Sequence, residues 1–121
     1  MRLNTCALLM LGLALTPAAH ADTPVNVQLE INFLLGYIEG SGCEFYRNGS
    51  RHNSKDAQVH LRTKYKWLMT RNQISNSEDF IEKAATKSSL SGLAYSVTCQ
   101  GAASQSSALW LRTELARLRT F

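Results

Sequence analysis

Apolar residues first recur with helical period at Val27, Ile31, Leu34, Leu35 and Ile38, the pattern of a helix with one buried stripe. Glu39-Gly40-Ser41-Gly42 then ends the run with flexible residues. Cys43 to Tyr46 reads as a short extended piece, and Asn48-Gly49 is a turn signal because both residues tolerate positive φ. Ser50 to Ser54 holds no apolar residue and reads as a loop. A second helix begins with Asn53 or Ser54 as N-cap and Asp56 in the first turn, where a carboxylate suits the helix dipole. Its apolar stripe is Ala57, Leu61, Tyr65 and Leu68, with Arg62, Lys66 and Thr70 towards the other side, and the pattern carries it to about Arg71.

Ser75-Asn76-Ser77-Glu78 has the form of a capping box and predicts a third helix from Glu78 to Lys87 that buries Phe80, Ile81 and Ala84 or Ala85. Ala94 to Cys99 alternates with strand-forming types. Gly101 to Ser107 reads as a small polar loop, and Leu109, Trp110, Leu115 and Leu118 place a last helix from about Ser107 to Arg119. The expected fold is α+β and mainly helical: about four helices with a minimal two-stranded antiparallel sheet.

The N-terminal end has a different pattern. Arg2 precedes an apolar stretch from Ala7 to Leu15, and Ala19-His20-Ala21 offers small residues for cleavage, so residues 1–21 read as an export signal and 22–121 as a single mature domain. The apolar stretch is far shorter than the roughly 20 residues a bilayer-spanning helix needs, so no transmembrane segment is expected after cleavage. The expected location is the periplasm, or outside the cell. Cys6 leaves with the signal, and Cys43 and Cys99 remain, an even count that in a small exported domain predicts one disulfide. Such a bond sets the two extended pieces side by side, and in the chain-entropy model closing so long a loop stabilises by roughly 4 kcal/mol.

With 121 residues, the chain is too short for a barrel enzyme or a two-domain nucleotide-dependent enzyme. At 45% hydrophobic it is too apolar for a disordered chain. The net charge is +4, one less once Arg2 is removed, and Lys and Arg are scattered without a dense block. A nucleic-acid surface needs a concentrated stripe, so nucleic acid is not an expected partner.

Candidate chemistry is sparse. His60 has Asp56 and Lys64 one helical turn to either side, the setting of a tuned base, but a base without a convergent set of partners is more simply a helix-face histidine. His52 and His60 have no cysteine to spare as a metal partner, so no metal is expected. Ser88, Ser89 and Ser91 follow Lys83 and Lys87, the reverse of the order used in serine-lysine acylation, and read as turn hydroxyls. Paired carboxylates with a cleft signature, a phosphate loop and a nucleophile elbow are all missing, so neither catalysis nor a cofactor is expected. Arg47-Asn48-Gly49, with Arg62 and Lys64 near, would suit a carboxylate or phosphate, since the arginine fork recognises such groups geometrically, but a tight turn whose arginine is solvated or paired with Asp56 or Glu44 is the simpler reading.

Four blocks then add a resemblance: Phe45-Tyr46-Arg47-Asn48-Gly49, Ala57 to Lys64, Glu78-Asp79-Phe80-Ile81, and Ser88 to Tyr95. In order and spacing they resemble the YfeK-like family of small periplasmic proteins, whose biochemical role is uncharacterised. Ala94 stands where that resemblance leads one to expect proline. The resemblance implies export and the fold, and supplies no reaction.

The expected function is a non-catalytic binding module for an envelope protein or cell-wall component. Its expected surface is Arg47, Asn48, His60, Arg62, Ser89, Ser91 and Tyr95. The alternative is an inhibitor of a lysozyme-type enzyme: the Ser91-Gly92-Leu93-Ala94-Tyr95 loop resembles the inhibitory loop of some periplasmic lysozyme inhibitors, whose hydroxyls enter the target's acidic cleft. A third reading, a peptidoglycan-related hydrolase, would use His60.

Overall fold

A computed structural model describes residues 22–121, so the export signal expected over 1–21 lies outside the described residues. The chain runs α1 (Val25–Gly40), β1 (Glu44–Arg47), β2 (Ser50–His52), α2 (Ser54–Met69), α3 (Ser77–Ala84), β3 (Ser96–Thr98), β4 (Gln105–Ser106) and α4 (Ser107–Leu118). The helices form as their stripes and caps dictate. Asn53 caps α2 by accepting from the Asp56 amide, and Ser106 caps α4 by accepting from the Leu109 amide. At α3 the N-cap sits one residue later than the sequence pattern suggests: Asn76 accepts from the Asp79 amide at 2.8 Å, while the Asp79 carboxylate accepts from the amide of Ser75, the residue before the cap, at 2.9 Å. That helix ends at Ala84 rather than Lys87, because the chain turns there into a pairing between Lys87 and Ala94.

The expected two-stranded sheet is corrected to four strands, in the order β2-β1-β3-β4, all antiparallel. The two extra strands are edge strands made of polar residues, Ser50-Arg51-His52 and Gln105-Ser106, which carry no apolar alternation to reveal them. Asn48 at φ 54° and Gly49 at φ 79° form the two-residue connection from β1 to β2 that the sequence marks as a turn. The central pair β1–β3 is the one expected. Glu44 faces Thr98, so Cys43 and Cys99 come next in register, and they are disulfide-bonded with Cα atoms 4.3 Å apart.

One core lies between the helices and one face of this sheet. Ile31, Leu34, Leu35 and Ile38 of α1, Phe80 and Ile81 of α3, and Val97 of β3 are buried within it. Phe45 meets Trp110 edge-on with ring centroids 5.5 Å apart, fixing α4 against the sheet. In α4 the buried apolar positions are Ala108, Trp110, Leu111 and Leu115, while Leu109, one of the residues by which the sequence places this helix, faces solvent. No helix among the described residues is long and apolar enough to cross a membrane.

Candidate functional site

Alternation along the strands decides which polar residues meet the helices. Phe45 points into the core, so Glu44 and Tyr46 point away, and Arg47 returns to the helix side at the rim of β1. His52 lies directly opposite Phe45 and shares its side. Tyr95, two residues before Val97, is also turned inward and buried. On α2 the row next to the core stripe carries His60 and Lys64, one turn apart. Strand rim and helix row meet around the Tyr95 hydroxyl.

The Tyr95 hydroxyl lies 3.1 Å from His60 Nε2 and accepts from Lys64 Nζ at 3.2 Å. Lys64 also donates to the Lys87 carbonyl at 3.2 Å and sits over the Tyr95 ring, 5.1 Å from its centroid. Beside them is a cavity of ≈ 20 Å³, room for about one water, lined by Arg47, His52, His60 and Tyr95 together with apolar Phe45 and Leu61. The buried Nε2 of His52 has no hydrogen-bond partner among the described residues.

The electrostatics are one-signed. Burial, and then the positive charges of Arg47 and Lys64 with His52 beyond them, lower the His60 pKa to about 4, so the ring is neutral at neutral pH. Burial and then Arg47 lower the Lys64 pKa. Burial raises that of the Tyr95 hydroxyl, against a smaller downward pull from Arg47. No carboxylate among the described residues hydrogen-bonds or pairs with Arg47, His60 or Lys64. Arg51, on the other face, is the arginine that takes the nearby acceptors: it bonds the Tyr46 hydroxyl at 2.8 Å and lies 3.7 Å from Glu44. This arrangement suits an anion, which would meet an unpaired guanidinium and an ammonium with little competing charge.

Of the residues expected at the site, Arg47, His60 and Tyr95 come together. Asn48 is in the exposed hairpin turn, and Arg62 points elsewhere, donating to Asn32 of α1 at 3.2 Å. Ser89 is exposed and lines a neighbouring groove with Lys64, Trp67 and Lys83. Ser91 is exposed in the turn after it, accepting from the Leu93 amide at 3.2 Å, whereas Tyr95 is buried, so the two do not present one outward loop. The sequence reading weighed His52 only as a metal ligand. Its place at the cavity follows from the two-residue turn, which pairs it with inward-facing Phe45.

Comparison with known proteins names the family. Residues 25–119 match the family described as "Family of unknown function (DUF5329)", and the chain belongs to it. The chain is also 36% identical over 96 residues to the "Uncharacterized protein YfeK" of Salmonella typhimurium, covering 78% of this chain and 77% of that protein. The YfeK-like resemblance read from the four sequence blocks is therefore shown. No solved structure matches the chain.

Proposed function

We propose that this DUF5329 protein is exported to the periplasm and acts without catalysis, as a binding module that holds an anionic group of an envelope component at Arg47, His60, Lys64 and Tyr95. The observation that carries the reading is the Arg47 guanidinium, unpaired among the described residues, beside Lys64 and a neutral His60. Export rests on the residue pattern of the first 21 positions and on the bonded cysteines.

Two features favour binding over turnover. No carboxylate among the described residues hydrogen-bonds to His60, and the raised pKa of the Tyr95 hydroxyl makes it a poorer nucleophile. The lysozyme-inhibitor reading asks Tyr95 to stand at a surface with Ser91, while the Tyr95 hydroxyl is turned towards His60 and Lys64. The test is calorimetric titration of the purified oxidised protein with phosphate and with acetate. Saturable binding by the parent, weakened roughly tenfold or more in Arg47→Ala, is expected from the worth of a charged hydrogen bond. A parent that binds neither anion saturably sinks the proposal.

A further inference from the structure

The turn after α3 holds apolar side chains in water with no structural need for them. Leu90 is 87% exposed and Leu93 57%, in a segment that is well tied down. Ser88 is buried, and its hydroxyl accepts from the amides of Leu90 at 3.1 Å and Ser91 at 3.3 Å. The Ser88 amide donates to the Leu93 carbonyl, and Gly92, at φ 75°, donates back to the Ser88 carbonyl, each at 2.9 Å. The turn is thus a built platform that presents two leucines outward, rather than a frayed loop.

Cations and an exposed indole surround it. Lys87 opens the turn, and its ammonium has no partner among the described residues. Ser89 faces a groove of ≈ 330 Å³ between α2 and α3, lined by Lys64, Trp67 and Lys83 with Leu68 beneath. Trp67 is 54% exposed and carries the Arg71 guanidinium 3.8 Å above its ring centroid. Lys64 belongs both to this groove and to the Tyr95 cluster, so the two surfaces are continuous. A second groove beside it shares Leu68, Lys83 and Ser89, and is lined by Lys87 and by one acidic residue among the described ones, Glu82.

We infer that this face, with Leu90 and Leu93 at its tip and Trp67 and Lys64, Lys83, Lys87 and Arg71 behind them, docks on an anionic lipid surface. Charge complementarity selects the partner: leucines on a rigid turn enter the acyl boundary, the indole sits at headgroup level, and the cations meet lipid phosphates. A soluble anion would use the cations and leave the leucines in water. The inference names the partner of the proposed envelope-binding role and rests on that reading, with Lys64 common to both.

The experiment adds the full oxidised protein to vesicles of phosphatidylethanolamine with phosphatidylglycerol, and to vesicles of neutral phosphatidylcholine. Co-sedimentation and tryptophan emission are the readouts, since Trp110 is buried and Trp67 is exposed. Expected are binding to the anionic vesicles alone, a blue shift in emission, and weakening of roughly tenfold or more at 0.5 M salt, where exposed charges are screened. The Leu90→Ser, Leu93→Ser double variant, altered only at exposed positions, should lose the vesicles roughly tenfold or more while binding phosphate like the parent. Lys87→Gln should weaken vesicle binding by a smaller factor.

Equal binding to neutral and anionic vesicles, or to neither, overturns the inference, and so does a double variant that binds vesicles like the parent. Self-association lost in the double variant, without vesicle binding, reassigns the face to a second copy of the chain. Tighter binding to a soluble acidic saccharide than to the vesicles reassigns it to a polymer. If phosphate binding persists while vesicle binding is absent, the Arg47 site stands and the lipid partner falls.

Discussion

Two charged clusters each contain an arginine and are compensated in opposite ways. Around Arg119 every cation meets an anion. Its guanidinium donates to Glu30 at 2.8 and 3.0 Å and to Glu78 at 2.6 and 3.1 Å, and the buried Ser77 hydroxyl donates to Glu30 at 2.5 Å. The hydrogen bonds from Arg119 are the main cause that lowers both glutamate pKa values. That cluster ties α4 to α1 and α3 and leaves nothing over for a ligand. Around Arg47 the cations gather without a paired counter-charge among the described residues, and His60 and Lys64 shift towards their neutral forms. The contrast separates a clasp from a binding site: structural ions are placed to satisfy one another, while a site keeps its charge for what it binds.

The sharpest way to break the contrast is to give the Arg47 cluster the anion it lacks. Arg47→Glu should weaken phosphate binding by roughly tenfold at least and up to about a hundredfold. It should also raise the His60 pKa from about 4 back towards the ordinary imidazole range, because a repelling charge becomes an attracting one. Proton-detected titration of the His60 ring checks the second effect. An unchanged His60 titration would show that Arg47 does not act on it.

The converse change falls on the clasp. Arg119→Ala leaves Glu30 and Glu78 facing one another without their cation, and denaturant unfolding should register a loss of about 1 to 2 kcal/mol, a range kept low because the pair partners are partly solvent-screened. Phosphate affinity should not move. A variant that keeps full stability but loses phosphate binding would exchange the roles assigned to the two clusters.

Acid sharpens the comparison because the two clusters respond in different windows. The folded pKa of His60 is about 4, below its ordinary value of 6.5, so the unfolded chain takes up a proton first. Stability should therefore fall as pH drops from about 6.5 towards 4, by something on the order of 1 kcal/mol after solvent screening. Glu30 and Glu78 have depressed pKa values, so their contribution is present above 4.5 and is lost only as pH falls below it. Unfolding curves across pH, compared with His60→Gln, separate the two, since the variant should lose only the higher window. Bound phosphate, which favours the charged imidazole, should shrink that window in the parent.

The helical part of this fold was readable because each stripe repeats over several turns: Ile31, Leu34, Leu35 and Ile38 are all buried as their spacing requires. Alternation marks Ala94 to Cys99 as a strand, and the pairing of the central strands is readable through chemistry, from two cysteines expected to meet. Strands β2 and β4 were not, since polar edge strands owe their pairing to a neighbour and carry no signal of their own. Half the site was nonetheless present in one dipeptide. A two-residue turn at Asn48-Gly49 fixes register, register places His52 beside Phe45, and alternation returns Arg47 to the same side. Helical spacing sets Lys64 beside His60, but its meeting with Tyr95 depends on how the segment after α3 folds back, which no local pattern encodes.

The smallest expected effect tests which sequence candidate belongs to which region. Arg62 sits two residues from both His60 and Lys64 in the chain, and spacing alone groups it with them. On a helix, residues two apart point about 200° from one another, and Arg62 accordingly reaches α1, where it donates to the exposed Asn32. Arg62→Ala should therefore leave phosphate affinity within about twofold and stability within about 0.5 kcal/mol, the range of an ordinary surface substitution. An Arg62→Ala protein that loses phosphate as Arg47→Ala does would bring Arg62 into the anion site beside Arg47 and overturn its assignment to α1.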